Sequence, residues 1–275
     1  MSQSTLKIGF IGGGNMAFAI VNGLIAAGHS PGKLSVADPS ESQRARLHEL
    51  NENLQLTEDN QEVANAAEVL VLAVKPQVMA EALSGLSVNG QAGPNLVVSI
   101  AAGVTLDGLG AALGKNWPIV RIMPNQPALV GAGMSVLVAS PATSAEQKAQ
   151  AEYIARSTGK ALWIDDESLM DAVTAISGSG PAYFYLLMEI MADCAREMGL
   201  DPELAQSLVR QTALGAAEIT KDSQHDLAQL RASVTSKGGT THAAITSLED
   251  AGIRDIFRRA LEAARDRSME LGKTG

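Results

Sequence analysis

The chain has 275 residues, of which 46% are hydrophobic and 19% charged, a composition typical of a folded protein rather than a disordered one. Its 30 acidic residues outnumber its 21 basic ones, and the net charge of -9 repels nucleic-acid backbones and anionic membrane surfaces. We therefore expect no nucleic-acid partner and no membrane association. The single cysteine, Cys194, cannot form an internal disulfide, so we expect a reducing, cytoplasmic location.

Short apolar runs alternate with helical patterns through the first half of the chain, which is typical of a parallel sheet built from repeated strand and helix units. The predicted strands span residues 6–11, 33–37, 69–74, 96–100, 119–122 and 134–139. Predicted helices cover residues 16–27, ended by Gly28, and 44–51. The first half is therefore predicted to be an α/β domain with a mostly parallel sheet.

Beyond residue 164 the β-branched runs disappear and apolar positions recur at helical spacing, so residues 164–275 are predicted to be all-helical. A helix that starts at Pro181 carries Phe184, Leu187, Met191 and Cys194 along one stripe. Nearly every residue from 183 to 191 is apolar, so this helix needs cover on more than one face. We expect a second copy of the chain to provide it, and hence a homodimer.

A glycine-rich segment follows the first predicted strand and reads Gly-Gly-Gly-Asn-Met-Ala over residues 12–17. In this G-x-G-x-x-A pattern Gly12 permits a tight turn, Gly14 lets the backbone approach a pyrophosphate, and Ala17 keeps the helix close to the strand. The residues of this turn expected to bind the cofactor are Gly12, Gly13, Gly14, Asn15 and Met16. The alternative is a glycine-rich turn without a ligand. Residues 1–163 are predicted to be a Rossmann-type dinucleotide-binding domain.

Asp38 ends the second predicted strand, where a carboxylate binds the adenosine ribose hydroxyls and opposes a 2′-phosphate, which favours NADH. Ser40, Ser42, Arg44 and Arg46 follow it, and hydroxyls with a guanidinium can hold the 2′-phosphate of NADPH if Asp38 turns away. Ordinary solvated helix charges are at least as good an interpretation of the two arginines. These residues alone are compatible with either NADH or NADPH as the cofactor.

Four local patterns occur in one order along the chain, over residues 8–14, 73–76, 177–182 and 234–241. They read Ile-Gly-Phe-Ile-Gly with Gly14, Ala-Val-Lys-Pro, Ser-Gly-Ser-Gly-Pro-Ala and Val-Thr-Ser-Lys-Gly-Gly-Thr-Thr. With these patterns the chain resembles pyrroline-5-carboxylate reductase over nearly its whole length. The resemblance implies reduction of 1-pyrroline-5-carboxylate to L-proline, the last step of proline biosynthesis, with NADPH as the expected cofactor and NADH as the alternative. It also implies a dimer that assembles further into a decamer, a pentamer of dimers.

The resemblance carries over to individual residues. It places the Thr241 hydroxyl at the substrate ring nitrogen, Lys75 at the end of a strand near the cofactor, and Asn125 beside the nicotinamide. Thr241 and Lys75 are the catalytic candidates, with a plainly solvated side chain as the alternative for Lys75. Beyond the first turn, the residues expected to bind the cofactor are Asp38, Ser40, Ala73, Val74, Lys75, Pro76, Ala101 and Asn125.

A second glycine segment precedes an apolar helical stretch late in the chain. Its backbone amides can form a nest that faces an anion such as the substrate carboxylate, and the alternative is a plain glycine turn with threonine N-capping. The residues expected to bind substrate are Ser236, Gly238, Gly239, Thr240 and Thr241. We expect no metal, because hydride transfer to an imine needs none and the four histidines are scattered.

Two other functions compete with this prediction. A β-hydroxyacid dehydrogenase would place a lysine four residues after the glycine turn at 178–180, and this chain has Phe184 there. A non-catalytic NAD(P)-binding sensor would bind cofactor without turnover, and the substrate loop argues against it.

Overall fold

The computed structural model describes residues 3–86, 93–113, 117–221 and 223–274. By packing, the chain divides into two compact units, one formed by residues 1–179 with 264–275 and the other by residues 180–263. The predicted division between residues 163 and 164 lies earlier than this one. Residues 164–179 belong with the first unit because they pack on it, as where Asn125 donates a hydrogen bond to the Ser177 carbonyl.

The first unit is built on one sheet. Within the described residues its strands are β1 Ile8–Ile11, β2 Leu34–Ala37, β3 Gln55–Thr57, β4 Val69–Leu72, β5 Leu96–Ser99, β6 Ile119–Met123, β7 Gly133–Ala139 and β8 Gly159–Trp163. Their order is β3-β2-β1-β4-β5-β6-β7-β8, and only the β6–β7 pairing is antiparallel among these neighbours. This confirms the predicted α/β fold with a mostly parallel sheet.

The sequence did not predict strands β3 and β8, and both lie at edges of the sheet. β3 has no buried residue, and β8 buries only Ala161 of its five residues. The central strands β1, β2, β4 and β5 are buried at every position and therefore read as continuous apolar runs. An edge strand covered on fewer sides lacks that signal.

Helices cover the sheet of the first unit. They are α1 Asn15–Ala26, α2 Glu41–Leu50, α3 Asn60–Ala66, α4 Met79–Leu83, α5 Leu106–Leu113, α6 Ala145–Arg156 and α7 Met170–Val173. α1 buries Ile20, Val21 and Leu24 in the core shared with β1. It ends before Gly28, whose φ of 85° is the left-handed backbone predicted for this glycine. A π-helical turn, Thr174–Gly178, follows α7 directly.

The second unit is helical, as predicted for the second half of the chain. Its helices are α8 Gly180–Glu197, α9 Pro202–Lys221, α10 Leu227–Ser233, α11 Thr240–Asp250 and the first part of α12 Ile253–Thr274. α8 carries exposed apolar side chains along most of its length, among them Phe184, Leu186 and Ile190. In the described part of the chain, no helix combines the length and the apolar character that a membrane span requires.

The strand order places several loops together. β1, β2, β4, β5 and β6 run parallel, so the loops after their carboxyl ends lie at one edge of the sheet. The chain order reverses between β1 and β4, and ligands of open α/β sheets bind at such a switch point.

Candidate active site

The turn after β1 has the backbone geometry of a dinucleotide-binding loop. Gly12 adopts a φ of 98°, and its amide donates a 2.8 Å hydrogen bond to the carbonyl oxygen of Ala37 at the end of β2. A Cβ at Gly12 would lie 2.8 Å from the carbonyl oxygen of Ala73. The turn therefore passes between the ends of β2 and β4 with room for glycine alone.

The same turn leads into the start of α1. Gly14 is the N-cap residue and no side chain caps the helix, whose first amides lack intrahelical partners. A Cβ at Gly14 would meet no protein atom within 4 Å, so a ligand can approach this backbone closely. Asn15 and Met16 form the first two helical positions, and Ala17 is buried against the sheet. Strand, turn and helix thus stand in the predicted order, and they suit a pyrophosphate.

Asp38 lies directly after β2, and its carboxylate is directed at the backbone. Oδ2 accepts a 2.6 Å hydrogen bond from the Gly13 amide, and Oδ1 accepts a 2.8 Å hydrogen bond from the Ser40 amide. The hydroxyls of Ser40 and Ser42 lie 2.9 Å apart. The two amides fix the orientation of the carboxylate and offset part of its charge.

The two arginines of α2 have different environments. Arg44 donates to the Asp38 carbonyl oxygen at 2.6 Å and forms an ion pair of 2.5 Å with Glu58. Arg46 donates to Oδ1 of Asn15 at 2.8 Å, and its guanidinium carbon lies 3.8 Å from the centre of the Phe18 ring. Arg44 thus supports the loop after β2, whereas Arg46 lies beside the glycine turn. No sequence pattern indicated the contacts of Arg46, because they join α1 to α2 in space.

The segment after β4 borders the same turn. The side chain of Val74 would lie 3.0 Å from a Cβ at Gly12, beside the Ala73 carbonyl already described. Lys75 is exposed and precedes a short 3₁₀ helix, Pro76–Val78. Its ammonium has no hydrogen-bond or ion-pair partner within the described residues. A free ammonium at this edge suits an anionic ligand.

Two further predicted cofactor residues follow β5 and β6. Ala101 is buried, and its amide donates a 3.3 Å hydrogen bond to Oγ of Ser99. Asn125 uses both ends of its amide: Nδ2 donates to the Ser177 carbonyl at 3.0 Å, and Oδ1 accepts from the Met134 amide at 2.9 Å.

The predicted substrate loop lies in the second unit. Gly238 adopts a φ of 77°, and the Gly239 amide donates to the Ser236 carbonyl at 3.0 Å. Gly239 is the N-cap residue of α11, without a side-chain cap, and Thr240 and Thr241 are its first helical residues. The alternative of threonine N-capping is therefore wrong. The first amides of this 11-residue helix have no side-chain cap, an arrangement that suits an anion, and Thr241 is exposed beside them.

Within the described residues, no three His, Cys, Asp or Glu side chains come together as metal ligands could. The fold and the glycine turn instead define a class, the dinucleotide-dependent oxidoreductases.

Comparisons with known proteins narrow this class. Residues 167–271 match the family model described as pyrroline-5-carboxylate reductase dimerisation, and residues 7–103 match the one described as NADP oxidoreductase coenzyme F420-dependent. Pyrroline-5-carboxylate reductase of Pseudomonas aeruginosa is 45% identical over 98% of each chain, and that of Escherichia coli is 40% identical over 98% of this chain and 99% of its own.

Solved structures agree. A pyrroline-5-carboxylate reductase from Coxiella burnetii has a TM-score of 0.88 and 41% identity, with 97% of this chain and 98% of that chain covered. The Plasmodium falciparum pyrroline carboxylate reductase with NADP bound has a TM-score of 0.85 and 32% identity, with 98% and 99% covered. The chain belongs to the pyrroline-5-carboxylate reductase family.

Proposed function

We propose that this chain reduces 1-pyrroline-5-carboxylate to L-proline with a hydride from NAD(P)H, the last step of proline biosynthesis. The main support for this function is the family match over nearly the whole chain, together with the strand, glycine turn and helix of the first unit. Phe184 stands where a β-hydroxyacid dehydrogenase would need its lysine, so that alternative lacks its ammonium group.

The residues present fit a dinucleotide. The open backbone at Gly14 and the amides at the start of α1 would hold the pyrophosphate, and the exposed ammonium of Lys75 would add a positive charge at the same edge. The bound nicotinamide supplies the hydride.

Substrate binding is assigned to the loop before α11. The amides of Gly239, Thr240 and Thr241 would hold the substrate carboxylate, and the Thr241 hydroxyl would hydrogen-bond the ring nitrogen and orient the imine. Because an alcohol is a poor acid near neutrality, the proton on the product nitrogen arrives with a protonated imine or through water. Thr241 therefore acts by orientation.

We propose NADPH as the preferred cofactor. Two amides hold the Asp38 carboxylate toward the backbone, which weakens its opposition to a 2′-phosphate. Of the two arginines of α2, Arg44 is already paired with Glu58, so we assign the 2′-phosphate to Arg46, which donates to Asn15 at the glycine turn. A specificity constant higher for NADH than for NADPH would contradict this proposal.

We propose that the chain forms a dimer, which the match to the dimerisation model supports, and that the exposed apolar side chains of α8 lie in its interface. Phe184, Leu186 and Ile190 are 68%, 55% and 50% exposed in the single chain. Large apolar side chains exposed around a helix are unfavourable in water and suit a second copy. Assembly into a pentamer of dimers is the further proposal. Light scattering of the parent and of Phe184→Asp tests both: we expect decamers for the parent and smaller species for the variant.

We also propose that the protein works in the cytoplasm. The chain holds one cysteine and therefore no internal disulfide, which fits a reducing compartment.

The decisive experiment follows NADPH absorbance with 1-pyrroline-5-carboxylate, and in parallel with its six-membered homologue as a specificity control. Formation of L-proline in step with NADPH oxidation is the expected result. Purified, folded chain that binds NADPH but oxidises it with neither imine would support the non-catalytic sensor instead.

A further inference from the structure

Asn125 connects three segments of the first unit. It follows the carboxyl end of β6, and its side-chain carbonyl accepts the Met134 amide at the start of β7. Its side-chain NH₂ group donates to the Ser177 carbonyl in the π-helical turn, at 3.0 Å. It is also the N-cap residue of the 3₁₀ helix Gln126–Val130, which packs against α1. One amide thus joins the sheet edge to the π-helical turn.

The π-helical turn is held closely in place. The Ser179 amide donates to the Thr174 carbonyl at 2.8 Å, the i to i+5 bond that defines such a turn. Gly178 lies against β6, because a Cβ there would be 2.5 Å from Cε of Met123. π-helical turns are rare, and they occur frequently at functional sites.

The place of this contact connects it to the reaction. Asn125 stands at the edge of the sheet that carries the glycine turn and Lys75, and the 3₁₀ helix that it caps packs on the helix that begins at that turn. A displacement of the π-helical turn would therefore change the geometry of the residues at this edge of the sheet. The two backbone partners fix the Asn125 amide, which is the arrangement of a residue that orients other groups.

We propose that Asn125 is a positioning residue, which fixes the π-helical turn 174–178 against the carboxyl end of β6 and so sets the geometry of the cofactor site at this edge of the sheet. This inference rests on the proposed function, and it differs from the expectation that Asn125 acts by contacting the nicotinamide. The hydrogen bond from Asn125 to the Ser177 carbonyl distinguishes the two roles, because only a positioning role depends on it.

The test compares variants that keep or remove this bond. Asn125→Asp keeps an acceptor for the Met134 amide but sets a carboxylate oxygen against the Ser177 carbonyl. Asn53→Asp is the matched control, because it makes the same change at an exposed asparagine between α2 and β3 that bonds only to Asn51. Asn125→Ser retains a small hydroxyl at the position and is the second variant if the Asp variant does not fold.

Three measurements are made on the full-length chain. They are hydrogen exchange of the Ser179 amide, dissociation constants of NADPH and of 2′-phospho-ADP-ribose, and kcat with KM for the imine. For Asn125→Asp we expect about tenfold faster exchange at Ser179 and about tenfold lower kcat, since one hydrogen bond in the turn is lost. Both dissociation constants should stay within about twofold of the parent values. Asn53→Asp should match the parent.

Two outcomes would overturn the proposal. Weaker binding of NADPH but not of 2′-phospho-ADP-ribose, with unchanged exchange at Ser179, would make Asn125 a direct nicotinamide contact. Parent-like exchange and kcat in both Asn125 variants would remove the residue from the mechanism. If the parent chain reduced no imine, the proposed function would fail, yet exchange at Ser179 would still decide whether Asn125 holds the turn.

Discussion

The main-chain amide of Gly13 donates a 2.6 Å hydrogen bond to Oδ2 of Asp38, so the carboxylate after β2 is held against the glycine turn after β1. In many NADH-binding proteins a carboxylate at this place is directed at the adenosine ribose. Here the Ser40 amide holds the second oxygen as well. We therefore expect the acid to support the glycine turn and the neighbouring cations to decide the choice of cofactor.

Replacing Arg46 should reduce the use of NADPH and leave that of NADH nearly unchanged. If its guanidinium pairs with the 2′-phosphate, Arg46→Ala removes a charge-assisted contact, and kcat/KM for NADPH should fall about tenfold. The measurement is the ratio of specificity constants for the two cofactors. Arg156→Ala, which removes an exposed arginine paired with Glu152 on α6, is the matched control and should keep the parent ratio. Equal losses with both cofactors would exclude a role in phosphate recognition.

Gly12→Ala should destabilise the chain and prevent dinucleotide binding. The φ of 98° and the distance of 2.8 Å from the new Cβ to the Ala73 carbonyl oxygen both oppose a side chain there. We expect a loss of about 1 to 3 kcal/mol in the free energy of unfolding from backbone strain. Urea unfolding and NADPH fluorescence titration measure the two effects.

Gly110→Ala is the matched control for this change. Gly110 lies within α5, and a Cβ there would meet no atom within 4 Å. Alanine in a helix is more favourable than glycine by about 1 kcal/mol, so this variant should be as stable as the parent or more so. A Gly12→Ala chain as stable as Gly110→Ala would contradict the geometry of the turn.

Thr241→Ala should lower turnover without unfolding the chain. Thr241 is exposed in the second position of α11, where alanine suits the helix. Loss of a hydrogen bond to the ring nitrogen that strengthens in the transition state should cost about 1 to 3 kcal/mol in kcat/KM. Thr241→Ser should recover much of the activity. Kinetics of Thr241→Ala equal to those of the parent would remove this hydroxyl from the mechanism.

The sequence predicted those features that neighbouring residues decide. The glycine turn, the helix after it and the apolar face of α8 each depend on short-range spacing, and they stand as expected. The orientation of Asp38 was left open, because it depends on the Gly13 amide that strand pairing brings across the sheet. The π-helical turn had no signal of its own either, since contacts from Met123 and Asn125 hold it.

A last prediction concerns His29, which is 2% exposed in the first unit. Its Nε2 lies 3.0 Å from the Leu6 carbonyl oxygen, which can only accept, so Nε2 carries the proton. In the neutral ring Nδ1 then accepts from the Tyr153 hydroxyl at 3.0 Å. Burial lowers the pKa of His29 below its usual value of 6.5, although the hydrogen bond to the Leu6 carbonyl acts in the opposite direction.

The lowered pKa makes stability depend on pH in one direction. Below about pH 6.5 the unfolded chain takes up a proton at His29 and the folded chain does not, so the free energy of unfolding should fall from there toward the lower folded pKa. Urea unfolding of the parent and of His29→Phe at pH 8 and at pH 5.5, both chosen as about a unit or more to either side of 6.5, isolates this contribution. Replacement should lower the free energy of unfolding at pH 8, because the Tyr153 hydroxyl loses its acceptor. It should also reduce the difference in that free energy between the two pH values.

An exposed histidine of α2, His48, provides the control, since His48→Gln should retain the parent's pH dependence. Identical pH dependence in His29→Phe and the parent would show that other groups cause the acid sensitivity.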